Sequence, residues 1–314
     1  MILVCGEALL DLVQVDHSDG PPMLRALPGG GPANTAIAAA RLGESVLLVT
    51  RVGTDAGGDL VCAHLRRSGV DDRLVVRASE PTTLALVTLA ESGDARYAFY
   101  FESTAGWAWR RSDLPAALPD GVNAVHLGSM ALAAPPGYDA LSDFVSRVHE
   151  AATISLDPNV RLGVVGDLAA YRAALESLAG RCHLVRASEE DLAALYPGLG
   201  TPEALARLAA LGPRCVVATR GAAAPLARVG DETIEGPERA VRVVDTVGAG
   251  DTFSAALLHV FARQGLLASR LEAITATQVA EALSFAAAAA SITCERQGAD
   301  PPTADEVARR LATS

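Results

Sequence analysis

Asp245-Thr-Val-Gly-Ala-Gly-Asp251 runs straight into Thr252-Phe-Ser-Ala-Ala-Leu-Leu-His-Val-Phe261, and the junction between the two decides how the chain folds. Gly248 and Gly250 open backbone conformations and close approaches that a Cβ forbids, and the run after them has the apolar spacing of a helix. The β-prone Val241-Arg-Val-Val244 before them predicts a strand, so the order is strand, glycine turn, helix. Unpaired N–H groups at such a helix start, together with the positive end of its dipole, suit a phosphate or the charge that develops during phosphoryl transfer. Asp251 stands at the mouth of this turn. The dipole is expected to lower its pKa and make it a weak base, which suffices where the transition state is loose and the alcohol proton leaves late. An Asp at a helix start is also an ordinary cap.

Outward from this junction, continuous apolar runs at residues 2–5, Val46–Thr50, Ala124–Leu127, Thr153–Leu156, Leu184–Val185 and Cys215–Thr219 alternate with Ala-rich helical stretches. Strands that are apolar on both faces imply an α/β fold, a mostly parallel central sheet covered by helices on both sides. Helices are predicted at Asn34–Leu42, Gly57–Ser68, Tyr138–Ala151, Leu168–Leu178, Glu189–Leu195, Pro202–Leu211, Asp251–Gln264, Thr277–Ile292 and Ala304–Ala312. Two segments break the pattern. Thr82–Ala90 and Arg96–Phe101 flank the turn Glu91-Ser-Gly-Asp94, and Leu12–Asp16 and Met23–Leu27 flank His17-Ser-Asp-Gly-Pro-Pro22. These predict a small antiparallel sheet with one face to cover, as a lid, a dimer surface or both. A single domain over residues 1–314, with a β lid at about 12–27 and 82–102, is the expected division.

Composition narrows the chemistry. Half of the 314 residues are hydrophobic and a fifth are charged, and no apolar stretch nears the ~18–20 residues that cross a bilayer. The start Met-Ile-Leu-Val-Cys-Gly-Glu reads as a first strand rather than a signal peptide, so a cytoplasmic protein with no membrane partner is expected. All 26 basic residues are arginine. Without lysine there is no Walker A loop, no pyridoxal Schiff base and no lysine-dependent aldolase chemistry. A net charge of −11 with no basic run argues against a nucleic-acid partner. Five scattered cysteines and six dispersed histidines suggest neither a disulfide framework nor a transition-metal site.

With Asp245–Asp251 in place, the chain resembles the ribokinase-like sugar kinases of the phosphofructokinase B family from end to end. The family's C-terminal signature is Asp-Thr-x-Gly-Ala-Gly-Asp, and its last Asp is the catalytic base. The resemblance therefore makes Asp251 the base and gives Gly248, Ala249 and Gly250 the anion hole. It places Asp245 and Thr246 near the nucleotide and near a monovalent cation such as K+. Pro28-Gly-Gly-Gly-Pro-Ala-Asn-Thr-Ala36 matches the first signature, so Gly30, Gly31 and Asn34 are expected to meet sugar hydroxyls, together with Asp11 in Gly6-Glu-Ala-Leu-Leu-Asp11. Arg161 in Asp157-Pro-Asn-Val-Arg161 resembles an arginine that neutralises the transferring phosphate, and Thr219-Arg-Gly221 resembles a turn facing the nucleotide phosphates. A surface ion pair is the plain alternative for Arg161. The element that organises Mg2+ in the family, Asn-x-x-Glu, stands here as Ser188-Glu-Glu-Asp191, leaving Glu190 and Asp191 as alternatives.

The resemblance implies ATP, Mg2+ and a small sugar as ligands, and a homodimer joined through the β lid. In ketodeoxygluconate kinases of the family an arginine from the lid meets the substrate carboxylate. The comparable stretch Phe99-Tyr-Phe-Glu-Ser-Thr-Ala105 puts Phe101 there, with Phe99 beside it, which suits an uncharged sugar. Thr104-Ala-Gly-Trp-Ala-Trp109 and Gly128-Ser-Met-Ala-Leu132 resemble bacterial fructokinases, so fructose phosphorylated at its 6-hydroxyl is favoured over ketodeoxygluconate, ribose or a nucleoside. Phe99 and Phe101 as ordinary apolar packing is the plain alternative. Two readings of another class are a non-catalytic sugar- or nucleotide-binding regulator and an oxidoreductase with a dinucleotide fold. The intact Asp251 disfavours the first, and Glu7-Ala-Leu-Leu after the first strand, in place of a glycine loop, disfavours the second.

Overall fold

Every residue of the strand β1 (Ile2–Cys5) is buried, and its side chains serve two different cores. Ile2 and Val4 pack in one, Leu3 and Cys5 in the other, because successive side chains of a strand point to opposite faces. This is the physical reason for its unbroken apolar run. The computed structural model describes residues 1–15, 23–89 and 95–313. After β1 come β2 (Leu9–Val15), β3 (Met23–Gly29), helix α1 (Gly31–Arg41), β4 (Val46–Gly53), α2 (Ala56–Arg67), β5 (Val75–Ala78), β6 (Leu84–Leu89) and β7 (Ala95–Tyr100). The chain continues through β8 (Ala124–Gly128), α3 (Gly137–Val148), β9 (Thr153–Asp157), α4 (Leu168–Ala179), β10 (Leu184–Ser188), α5 (Glu189–Leu195) and α6 (Thr201–Ala209). It ends with β11 (Cys215–Arg220), β12 (Ala223–Val229), β13 (Glu232–Glu235), α7 (Ala249–Arg263), α8 (Ala276–Cys294) and α9 (Ala304–Ala312).

The nine-stranded sheet has the order β13-β12-β11-β10-β9-β8-β1-β4-β5, parallel from β5 to β11 and antiparallel at the β11–β12–β13 edge. From β1 the chain first builds outward through β4 and β5 and then, from β8 on, to the other side. That reversal is a topological switch point, where ligands of open α/β sheets bind beyond the carboxyl ends of the strands. Helices α1, α2, α7 and α8 pack on one face of the sheet and α3, α4, α5 and α6 on the other. Helix α7 is buried on all sides, residues 251–261 without exception, which accounts for its apolar composition.

The second sheet has the order β3-β2-β6-β7. Its two hairpins, β2–β3 and β6–β7, are antiparallel, while β2 and β6 at the centre are parallel. The turns expected at His17–Pro22 and Glu91–Asp94 lie outside the described residues. This sheet is tied to the core through Asp55, the N-cap of α2. Its Oδ1 accepts from the Gly58 N–H and the Thr82 hydroxyl and its Oδ2 accepts from the Thr82 N–H, joining the helix start to the base of β6.

Three strands, β5, β12 and β13, lack a clear signal in the sequence: β5 and β13 are four-residue edge strands of mixed polarity, and β12, between β11 and β13, is interrupted by Pro225. The strand expected at Val241–Val244 does not form. Val243 and Val244 are more than half exposed, and the Val244 and Asp245 amides donate to the Cys294 carbonyl at the end of α8. The end of this β-prone run is thus bound by α8 rather than by a strand, and the run joins no sheet among the described residues.

Replacing Asp55 with Ala removes a cap and the link to Thr82 together. The variant is expected to lose about 1–3 kcal/mol of stability, seen as a lower Tm in a thermal melt at pH 7, whereas Asp59→Ala one turn on, at an exposed position, should change it far less.

Candidate active site

Two clefts adjoin at the carboxyl ends of the central strands. The first, of about 410 Å³, lies between the central sheet and the small sheet. The second, of about 440 Å³, lies between the β11–β12 turn, the extended segment before the glycine turn, and α8. Arg186, Ser188, Glu190, Thr246 and Gly250 belong to the walls of both.

Asp251, on the first turn of α7, is buried at the floor of the first cleft. Asn34 of α1 donates from Nδ2 to its Oδ2 at 2.9 Å. Burial pushes the carboxyl up to about 7, with Asp157 adding to the rise and Asn34, Arg161 and Arg186 opposing it. This corrects the expectation of a lowered pKa. Loss of water outweighs the favourable helix end, and no backbone N–H of the described residues donates to this carboxylate. Gly248 takes a left-handed φ of 78° to cap the helix. The Ala249 N–H is turned onto the Thr246 carbonyl, so of the three residues expected in the anion hole it is the one whose donor is used. Among the described residues the Gly250 and Asp251 amides meet no acceptor.

The first signature segment arrives from the other side. Gly30 has φ 106°, and a Cβ on Gly31 would stand 2.6 Å from Asn159 Nδ2 and 3.3 Å from Asp251 Oδ1. Only bare backbone fits there. Asp11 of β2 lines the same cleft, its carboxyl raised to about 6 by burial against the pull of Arg161. Arg161 also lines this cleft. Among the described residues its guanidinium donates to the neighbouring Val160 carbonyl and forms no ion pair, so the plain alternative of a surface ion pair does not hold.

The Ser188–Asp191 element resolves into two parts. Ser188 and Asp191 form a capping box at the start of α5. Asp191 Oδ2 accepts from the Ser188 N–H and Oδ1 from the Val160 N–H, so both oxygens are engaged by backbone. Glu190 between them is exposed in the wall shared by the clefts. Thr219 and Gly221 line the second cleft, with Gly221 at φ 56° in the β11–β12 turn.

Two expected residues fall elsewhere. Phe99 lines the first cleft, stacked on Tyr97 at 5.8 Å, but Phe101 packs on Trp107 at 4.6 Å within a small apolar cluster and is not part of either wall. Phe99 packs on the same cluster and still reaches the cleft wall, whereas Phe101 does not. Asp245 also lies outside both walls, accepting from the Val247 N–H through Oδ1 and from the Gly298 N–H through Oδ2. Among the described residues there is no group of three or more His, Cys, Asp or Glu placed to hold a metal.

The sequence reading missed Glu7, Tyr97, Ser129, Asn159 and Arg186, all of which line the first cleft. Glu7 is fully buried and raised by desolvation, and its Oε2 accepts from the Ala131 N–H. Ser129 and Asn159 carry positive φ values of 65° and 40°, strain of the kind that collects at functional sites. Arg186 had a signal, a lone charge inside the apolar run Leu184-Val-Arg-Ala.

The family model described as pfkB family carbohydrate kinase matches residues 1–306. A fructokinase of Rhizobium leguminosarum bv. trifolii is 37% identical over 272 residues, 86% of this chain and 82% of the relative. The structure of a fructokinase with bound ATP from Xylella fastidiosa superposes with a TM-score of 0.91 at 27% identity, over 99% of this chain and 98% of the other. A double-mutant fructokinase of Vibrio cholerae O395, in a fructose, ADP and potassium ion bound form, gives a TM-score of 0.86 at 26% identity, over 99% and 97%.

The pKa of Asp251 has a consequence for stability. Its folded value of about 7 lies above the 3.8 of an ordinary aspartate, so between these values folding takes up a proton and stability falls as pH rises. At pH 8 the buried charge is borne in full. Asp251→Asn should therefore melt higher than the parent at pH 8, by roughly 2–6 °C, with the gap closing towards pH 5; a lower Tm at pH 8 would show that the carboxylate stabilises the fold.

Proposed function

Because the chain belongs to the pfkB family of carbohydrate kinases, we propose that it is the ATP-dependent kinase that phosphorylates fructose at its 6-hydroxyl, with Asp251 as the base. The observation that carries this reading is the buried Asp251, raised to about 7, at the foot of a polyol-sized cleft and beside the free amides that open α7. A carboxylate with that pKa is poised to accept a proton near neutral pH and is better matched to general-base work than an ordinary aspartate.

The sugar would occupy the first cleft, where Asp11, Asn34 and the bare backbone of Gly30 and Gly31 offer hydrogen bonds to hydroxyls. The small sheet contributes Leu9, Asp11, Tyr97 and Phe99 to this cleft and no positive charge, which favours an uncharged sugar over a sugar acid. ATP would occupy the second cleft, its phosphates reaching Thr219, Gly221 and the shared wall. Proton transfer from the hydroxyl to Asp251 then accompanies bond formation to the γ-phosphorus, while Gly250, Asp251 amides and Arg161 receive the displaced charge.

A divalent cation arriving with the nucleotide fits the residues present. Mg2+ keeps most of its waters and needs only one or two protein carboxylates, and Glu190, free of the helix cap and facing both clefts, is the one that would hold it. Bound there, it would offset phosphate charge. The turn that Asp245 clamps to Gly298 is where K+ would act, and stimulation of turnover by K+ over Na+ checks that assignment. A cytoplasmic location, where ATP is supplied, goes with this reading; among the described residues no helix is long and apolar enough to cross a membrane.

The small sheet also supports a homodimer. Met23, Leu27 and Tyr97 are exposed on the face that carries Asp11, with Arg25 between Met23 and Leu27, a largely apolar strip beside the first cleft. A second copy of the chain would cover it. Light scattering after size exclusion should give twice the 32.3 kDa chain mass for the parent and the single mass for Met23→Asp; a monomeric parent would remove the dimer.

A coupled assay of ATP consumption over fructose, ribose, ketodeoxygluconate and adenosine tests the substrate, with fructose expected to give the highest kcat/KM. Turnover of none of them would overturn the assignment. In the same assay Asp251→Asn should nearly abolish turnover while retaining ATP binding, and the kcat/KM of the parent should fall as pH drops below about 7. Arg161→Ala should lower kcat by roughly 10- to 100-fold at an unchanged Tm, since its guanidinium holds no other element in place.

A further inference from the structure

Arg186 is a charged residue in the shared wall that the reaction described above leaves without a task. We propose that its guanidinium contacts the phosphoryl group as it passes from one cleft to the other, an inference that rests on the kinase reading and adds a catalytic residue to it.

Arg186 sits in the middle of β10 with only 8% of its side chain exposed, and it is the one basic residue that lines both clefts among the described residues. A guanidinium withdrawn from water is costly unless its donors are met. Nη1 donates to Asp157 Oδ2 at 2.8 Å and Nη2 donates to the Thr219 hydroxyl, yet among the described residues Nε is buried with no partner, and so is Asp157 Oδ1. A pair kept only to join strands would close as a bidentate fork, which is the stronger arrangement. Here the fork is left open, and Ser254 donates to the same Asp157 Oδ2. The pair gives up strength in a way that fixes the guanidinium from β9 and β11 on either side.

What the guanidinium faces supplies the reason. A Cβ on Gly250 would lie 2.8 Å from Nη1 and 3.0 Å from Nη2, so Arg186 is packed directly against the residue whose free amide opens α7. Fixed charge and free N–H therefore converge at the boundary of the clefts. In the transfer, the sugar oxygen bonds to the γ-phosphorus as its proton goes to Asp251. The bond from that phosphorus to the β–γ bridging oxygen breaks, and its electron pair leaves with ADP. A positive charge already held in position stabilises the oxygens in transit without reorganisation.

Arg186→Gln keeps the size and removes the charge, and Arg186→Lys keeps a charge without the planar fork. The expected result is a fall in kcat of roughly 100-fold or more for the Gln variant, partial recovery with Lys, a KM for fructose within a few-fold of the parent, and a Tm that falls for Gln, which leaves Asp157 buried without its counter-charge, but stays close to the parent for Lys. Calorimetric titration with ATP and with ADP should show the preference for ATP shrinking in Arg186→Gln, a readout that a strand-joining role would not move. Loss of Tm in step with loss of kcat in both variants, or an unchanged kcat and ATP-to-ADP ratio, overturns the proposal. Should the Gln variant not fold, the Lys variant decides by the same comparison: reduced kcat at parental Tm supports the contact, reduced Tm at parental kcat removes it. A parent that turns over no sugar is a different failure and would fall on the kinase reading itself.

Discussion

No Cβ has room at Gly31 or at Gly250, because the Asn159 amide and the Arg186 guanidinium already fill the space it would need. The site depends on these two encounters of bare backbone with a polar side chain. They let α1 and α7 start within reach of one carboxylate, and they set Arg186 against the opening of α7. The fold holds the encounters still. Helix α7 is buried from residue 251 to 261 and cannot turn or slide without breaking its packing on α1 and α8. The polar chemistry is thus positioned by an apolar helix.

The carboxylates around the clefts fall into two kinds. Asp191 and Asp245 have each oxygen engaged by a backbone N–H, and each fixes a loop in place. Asp251 is buried and Asp11 half-buried, no backbone N–H among the described residues reaches either carboxylate, and both are raised by loss of water, as Asp191 is despite its partners. Residue type does not separate them, and neither does position in a motif, since Asp245 and Asp251 stand at the two ends of the same seven residues. The difference is in what reaches their oxygens.

Much of this was readable before any coordinates. The parallel sheet follows from strands apolar on both faces, and the predicted helices recur within a few residues of their expected bounds because capping residues mark their starts. Asp11, Asn34 and Asp251 could be named from motifs but not brought together, since no local pattern says that residues 217 apart share a hydrogen bond. The failures have local causes. Val241–Val244 has strand composition but is bound at its end by α8, and Phe101 has the type expected of a cleft wall but packs on Trp107. The pKa of Asp251 was misjudged because the helix dipole is visible in sequence and burial is not. Arg186 is a lone charge in an apolar strand, a signal the sequence carried without its being read, and only the sheet order reveals that the strand ends between two clefts.

That shared wall has a thermodynamic consequence. Ser188, Glu190, Thr246 and Gly250 face both clefts, so any shift in them that improves the fit of one ligand is felt by the other. Linkage requires the effect to be mutual: whatever factor the nucleotide exerts on the affinity for the small molecule in the first cleft, that molecule must exert on the nucleotide. Order of arrival cannot alter that factor, and a substitution in the wall changes it for both ligands at once.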